Sequence, residues 1–309
     1  MNKFKLLMGA FVLALTIPMV SCSDDKDEPE PNPNPNPGDE TVVNPKNVFS
    51  QGVPSQVGNL VITTNAESLV TKIVDDDKVT TFNYTGAPKA KSRGSVNIPT
   101  DYDMTMNVEW GNDEDGVDFY IKLNKQGFIE YAYEVDEDKY DGIQTDEWWF
   151  KYNDLGQMIE MKRSEGDNEV TTITYDANGD ITTVKVTDDV DGEKEITTIK
   201  YTDAANATPI VNKSGIMLYD YSLRIDMDEM APAYFAGLLG KGTAHLPLSA
   251  VSTHTNKENG TSQIFVSNYT FTWELNDSNM PIKFTSVDKY KYPWMDEEIE
   301  ETSVIELKW

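Results

Sequence analysis

The sequence predicts an all-β, mainly antiparallel fold on three observations. From Asn59 onward apolar and polar residues alternate with period 2. Turn signals recur about every ten residues, the spacing of a meander. A single stretch carries helix signals, too little for a second helical layer.

The elements follow in chain order. Residues 1–21 form a leader: Lys3 and Lys5, an apolar core from Leu6 to Leu15 too short to span a bilayer, then Val20-Ser21 before Cys22. Cys22 is the only cysteine, so no intramolecular disulfide can form. Its setting resembles a bacterial lipobox, which implies cleavage before Cys22 and acylation of its thiol; the plainer alternative is an ordinary signal peptide beside a stray cysteine. Residues 22–57 read as an acidic, Pro/Asn-rich tether, because the alternation from Pro29 to Pro37 leaves no run of free backbone donors. The acidic residues after Cys22 resemble the lipoprotein export signal of Bacteroidetes. No later stretch reaches the ~18 consecutive apolar residues of a membrane span, so the lipid on Cys22 is the expected membrane contact.

Residues 58–309 are expected to form a single β domain. Val117, Phe119, Ile121 and Leu123 share one strand face, opposed by Asp118, Tyr120 and Lys122. After a turn at Asn124–Gly127, Ile129, Tyr131, Tyr133 and Val135 continue the apolar face, opposed by Glu130, Ala132 and Glu134. Phe265-Tyr269-Phe271-Trp273 and Ile282-Phe284 repeat the pattern, with Tyr290, Tyr292 and Trp294 in the same parity. A degenerate repeat runs through this meander. Phe150-Lys151-Tyr152-Asn153-Asp154-Leu155-Gly156 matches Ile173-Thr174-Tyr175-Asp176-Ala177-Asn178-Gly179, with weaker copies ending at Gly127, Asp203 and Asp277. Each copy reads as a strand, an Asn or Asp that bonds its own backbone, a Gly free to take positive φ, and the return strand. Residues 226–240 break the pattern with an acidic start, Pro232 and a Gly stop, predicting one helix near 229–239 packed on the apolar face of the sheet.

The repeat resembles the YD repeats of bacterial wall-associated and toxin-shell proteins. Residues 100–309 resemble an uncharacterised family of Bacteroides-type lipoproteins, a domain of unknown function. The resemblance rests on residues 150–156, Tyr175-Asp176, Gly237-Leu238-Leu239-Gly240 through His245-Leu246-Pro247, and Trp273 to Ile282-Lys283-Phe284. It implies a strongly curved meander sheet, a porin-like half-barrel with the helix on its concave face, and no reaction.

Charge and motifs exclude more than they identify. Loss of Lys3 and Lys5 with the leader moves the formal charge from −27 to −29, which repels phosphate backbones and argues against nucleic acid. His245 and His254 are nine apart, no metalloprotease spacing. His254 reads as exposed loop and His245 as a hydrogen-bonded residue beside Leu246-Pro247. Asp176, Asn178 and Asp180 place oxygens at alternate positions suited to calcium, but they are equally what a hairpin turn demands, and the long calcium loop with its terminal Glu is missing. Asp75-Asp76-Asp77, Asp113-Glu114-Asp115 and 296–301 read as solvated loops. Trp148-Trp149 lie on one strand, so Trp148 is core and Trp149 outward, either stacking on a ligand or packing across strands against Lys or Tyr.

The leading expectation is a surface-anchored, non-catalytic binding module of the outer membrane with no cofactor, whose partner is a glycan or another envelope protein. A ligand would be held by Trp149 and the stretch from His245 to His254. Two alternatives remain: a glycan-cleaving hydrolase using paired carboxylates, and a structural envelope component.

Overall fold

The computed structural model describes residues 43–85, 96, 98–111, 116–138, 142–190, 192–258, 261–291, 295 and 297–309. Cys22, the leader, residues 22–42, the cluster 113–115, Tyr292, Trp294 and Asp296 lie outside the described residues.

Among the described residues, sixteen antiparallel strands follow one another in order. They are β1 (Gln56–Val57), β2 (Leu60–Thr64), β3 (Val70–Asp75), β4 (Lys78–Asn83), β5 (Met104–Trp110), β6 (Gly116–Leu123), β7 (Ile129–Asp138) and β8 (Gly142–Tyr152). The second half comprises β9 (Met158–Arg163), β10 (Val170–Tyr175), β11 (Ile181–Asp188), β12 (Gly192–Lys200), β13 (Ser249–Glu258), β14 (Thr261–Leu275), β15 (Pro281–Tyr290) and β16 (Ile299–Lys308). Each pairs with its chain neighbours, and β1 bridges β2 and β16, so the sheet closes on itself. The expected half-barrel is therefore a closed barrel. Twist accumulated over sixteen strands brings the two ends of the meander together, and closure removes most of the edge that an open sheet would expose.

Five hairpin turns at one end share one construction. Asn65, Asn124, Asn153, Asp176 and Asn276 each accept two backbone N–H bonds from the residues two and four positions on, at 2.8–3.1 Å. The residue before the last takes positive φ: Ser68, Gly127, Gly156, Gly179 or Asn279. These are the turns the repeat predicts, with 65–69 as an additional copy. The copy ending at Asp203 closes no hairpin; it opens the long β12–β13 connection.

Every one of these turns is preceded by a register shift, at Thr63/Thr64, Lys122/Leu123, Lys151/Tyr152, Thr174/Tyr175 and Glu274/Leu275. An extra residue inverts the facing of whatever follows. In β7 it turns Ala132 and Glu134 inward, opposite Ile121 and Phe119, and sends Tyr131 and Tyr133 outward, the reverse of the sequence expectation. Ile282 is likewise the extra residue opposite β14 and is exposed, whereas Phe284 is fully buried.

A barrel of sixteen strands is too wide for its own side chains to fill. Residues 201–248 fill one half of it. They enter and leave at the end carrying the five turns. Glu229 meets Lys78 on β4, Asp228 meets Arg163 on β9, Arg224 lies over Tyr269 on β14, and Leu238 accepts a hydrogen bond from the Ile129 amide of β7. Contacts spread around the ring in this way place the segment inside the lumen. Residues 43–55, assigned to the tether by sequence, pack with this plug: Phe49 is fully buried edge-on to Tyr234, and Gly215 and Gly237 lie against the backbones of Val48 and Pro45.

The plug is not the predicted helix. It holds a π turn at Tyr219–Leu223, a 3-10 turn at Asp228–Met230 and one α turn at Pro232–Phe235. Asp228 and Gly237 take positive φ and stop propagation on either side. Its apolar residues face walls all round instead of one sheet face, so a single amphipathic stripe has nothing to satisfy. Outward strand faces carry Lys72, Lys162, Lys185 and Lys283 among threonines, with cross-strand pairs Lys151–Glu160, Lys283–Glu274 and Lys289–Glu300.

A candidate binding chamber beside the plug

Above the plug, inward positions turn from apolar to charged and form three networks. In the first, Arg163 from β9 lies over the fully buried Trp148 with 4.2 Å between its guanidinium carbon and the ring centroid. It reaches Glu165 at 2.6 Å, Asp228 of the plug at 3.2 Å and Asp146 at 3.5 Å. Asp146 is held by the amides of Glu147 and Glu165 and by the Ser164 hydroxyl. Directly across the β7–β8 ladder, Glu134 accepts the Trp148 indole N–H at 2.6 Å. Burial, with Asp146 and Glu229 near, pushes the Glu134 carboxyl up to about 7 despite that bond and the Arg163 charge.

The second network fixes the plug to the opposite wall. Lys78 lies over Trp110 and pairs with Glu229 at 3.0 Å. The neighbouring Glu229 carboxylate raises the Asp228 carboxyl, whereas Asp228 and Lys78 together outweigh the burial of Glu229 and hold it low. In the third, Glu195 accepts bonds from Thr197 and Ser252, with the His254 Nδ1 3.8 Å away. Arg224 pairs there with Asp220, whose carboxyl burial raises.

Between the plug and the wall from β16 round to β4 lies a cavity of about 620 Å³. Asp75, Asp76, Asp220, Asp226, Asp228 and Glu229 give it six carboxylates against Lys78 alone among the lining residues. Tyr219 and the half-exposed Tyr221 supply aromatic surface.

The residues singled out by sequence do not converge. Trp149 lies on the outer wall, 5.9 Å from the Tyr131 ring and 5.4 Å from the Lys162 ammonium, the cross-strand packing alternative. His245 sits at the closed end, where Asp180 accepts its amide at 2.8 Å and meets its Nδ1 at 2.6 Å. His254 is not in a loop: it belongs to β13 and faces the lumen beside Phe265. Asp176 spends its oxygens on the turn, with the Asp180 amide lowering its pKa first, and Asn178 bonds Asp176. The described residues hold no cluster of three or more metal-ligating side chains. The chamber residues were missed because the acids at 226–229 look like a helix start. One signal was present: of the three arginines in the chain, Arg163 and Arg224 both lie in this interior.

Residues 78–283 match the family described as a "domain of unknown function (DUF4595) with porin-like fold". The chain belongs to that family. A porin-like protein from Bacteroides uniformis ATCC 8492 is similar in structure, with a TM-score of 0.54 and 14% identity over 81% of this chain and 88% of that one. Another, from Bacteroides vulgatus ATCC 8482, gives a TM-score of 0.46 and 12% identity over 83% of this chain and 98% of that one. No curated protein matches the chain.

Proposed function

We propose that this protein is a lipid-anchored, non-catalytic binding module of the outer-membrane surface that takes its partner beside the plug of a stoppered barrel. The single observation that carries the reading is the half-filled lumen. Residues 201–248 obstruct passage, yet leave a cavity of about 620 Å³ between themselves and the wall, a size suited to holding a ligand. The leader and Cys22 supply the anchor. The barrel wall supports display in water, because a strand crossing a bilayer carries an apolar band outward, and a midplane lysine costs about 2–4 kcal/mol; here Lys72, Lys162, Lys185 and Lys283 face out.

Hydrolysis by paired carboxylates fits less well. Asp228 and Glu229, the adjacent acids of the cavity, are each engaged by a cation, Arg163 at 3.2 Å and Lys78 at 3.0 Å, and so tie the plug to the wall. The tests are direct. Cys22→Ala is expected to release the protein from membranes. Saturable binding from glycan or peptide panels is expected, lost in Tyr221→Ala, with no product formed. Turnover of any oligosaccharide overturns the reading.

A further inference from the structure

The barrel is closed by its weakest member. β1 meets β16 only at Gln56↔Lys308 and Val57↔Leu307, flanked by two further main-chain bonds, from the Ser55 amide to the Lys308 carbonyl and from the Gly58 amide to the Glu306 carbonyl. β16 continues for seven more residues, 299–305, paired with β15 on one side and, among the described residues, with no strand on the other. The carbonyls of Glu306 and Lys308 point towards β1. By the two-residue period of an antiparallel strand, the main-chain groups of Val304, Thr302 and Glu300 point the same way. This free edge borders the chamber, because Val304 and Ile305 line the cavity together with Gly58 and Asn59 across the seam.

We propose that this edge is a docking site for an extended, lysine- or arginine-bearing segment of another protein, added as a further strand beside β16. The inference rests on the binding-module reading above and names its partner class. Main-chain pairing with Glu300, Thr302 and Val304 supplies the hold, and alternate side chains of the incoming strand point into the cavity. Asp75, Asp76, Asp220 and Asp226 await them there, which selects basic residues at every second position. A second copy of this chain is disfavoured by its −27 charge and by Glu300 and Glu301 on the same edge. The Pro-rich, acidic residues 24–37 offer neither the amides nor the sign.

The test uses the protein from Cys22 onward and a synthetic nine-residue peptide with Lys at every second position among Thr and Val. A control peptide has the same composition with its lysines contiguous. Hydrogen exchange is expected to slow at least tenfold at the amides of Glu300, Thr302 and Val304 on adding the alternating peptide, but not the control. Thr302→Pro removes one donor from the free edge without touching the β15 ladder, and should weaken binding tenfold or more. Asp220→Asn with Asp226→Asn should weaken it and flatten its salt dependence. Equal binding of both peptides, unchanged affinity in Thr302→Pro, no binding at millimolar peptide, or protection of these amides in the free protein overturns the inference. Tyr221-dependent glycan binding without peptide binding would sink this inference and leave the binding-module reading standing.

Discussion

Glu134→Gln tests the electrostatics of the chamber through stability. Glu134 is 9% exposed and its carboxyl is pushed from 4.5 to about 7, first by burial. A raised carboxyl pKa means that the folded state holds the proton more tightly than the unfolded chain. Its contribution is therefore complete below about pH 4.5 and is lost as pH climbs through about 7. At pH 8 the native protein carries a buried carboxylate whose cost, at 1.36 kcal/mol per pH unit, is about 3 kcal/mol. Glutamine keeps an oxygen to accept the Trp148 indole N–H but never ionises. The variant is thus expected to be about 3 kcal/mol more stable at pH 8 and nearly unchanged at pH 4. Urea unfolding followed by tryptophan fluorescence at both pH values measures the difference. A gain of equal size at both, or a loss at pH 8, refutes the reasoning.

Three further outcomes follow from the packing. Gly215→Ala sets a Cβ 2.1 Å from the Val48 carbonyl oxygen at φ +77, so it should free residues 43–55 to limited proteolysis and cost about 2 kcal/mol or more; unchanged cleavage would contradict the account. Arg163→Ala leaves Asp146 buried without its cation and strips Trp148 of its stacked partner, lowering the thermal midpoint through a loss of about 3–5 kcal/mol; a midpoint shift of under a degree would disprove that pairing. Trp149→Ala removes an outward aromatic pair with Tyr131 and should cost only about 1 kcal/mol with near-ultraviolet circular dichroism otherwise retained, whereas global unfolding would make it a core residue.

Local chemistry was readable in the sequence and long-range geometry was not. Asn153 to Gly156 declares its turn because the Asn side chain and the positive φ at Gly156 are properties of four adjacent residues. Trp148 was placed in the core by parity with Phe150 and Tyr152, which holds because the extra residue of that hairpin, Ile159, falls on β9 and not on β8. One bulge defeated the same parity argument at Glu134, because an extra residue leaves no mark in composition. The chamber demands that Lys78, Asp146, Arg163 and Glu229 meet across four distant segments, and nothing near any of them encodes the others. Helix signals at 226–240 were real but local; walls on all sides of the plug overrode them.

The seam formed by β1 also sets an order of events for the chain. Gln56 is among the first residues of the barrel to be made, and its partner Lys308 is next to the last residue of the chain. Hairpins such as β8–β9 close over about ten residues, but joining β1 to β16 closes a loop roughly twenty-five times longer, which costs about 3 kcal/mol more in chain entropy. Two residue pairs do not offset that by themselves. Phe49, seated against Tyr234 of the plug, adds a second tie between the segment before β1 and the barrel interior. The strand synthesised first is thus the last to be locked, and a chain shortened by even the residues of β16 would keep its hairpins yet never become a barrel.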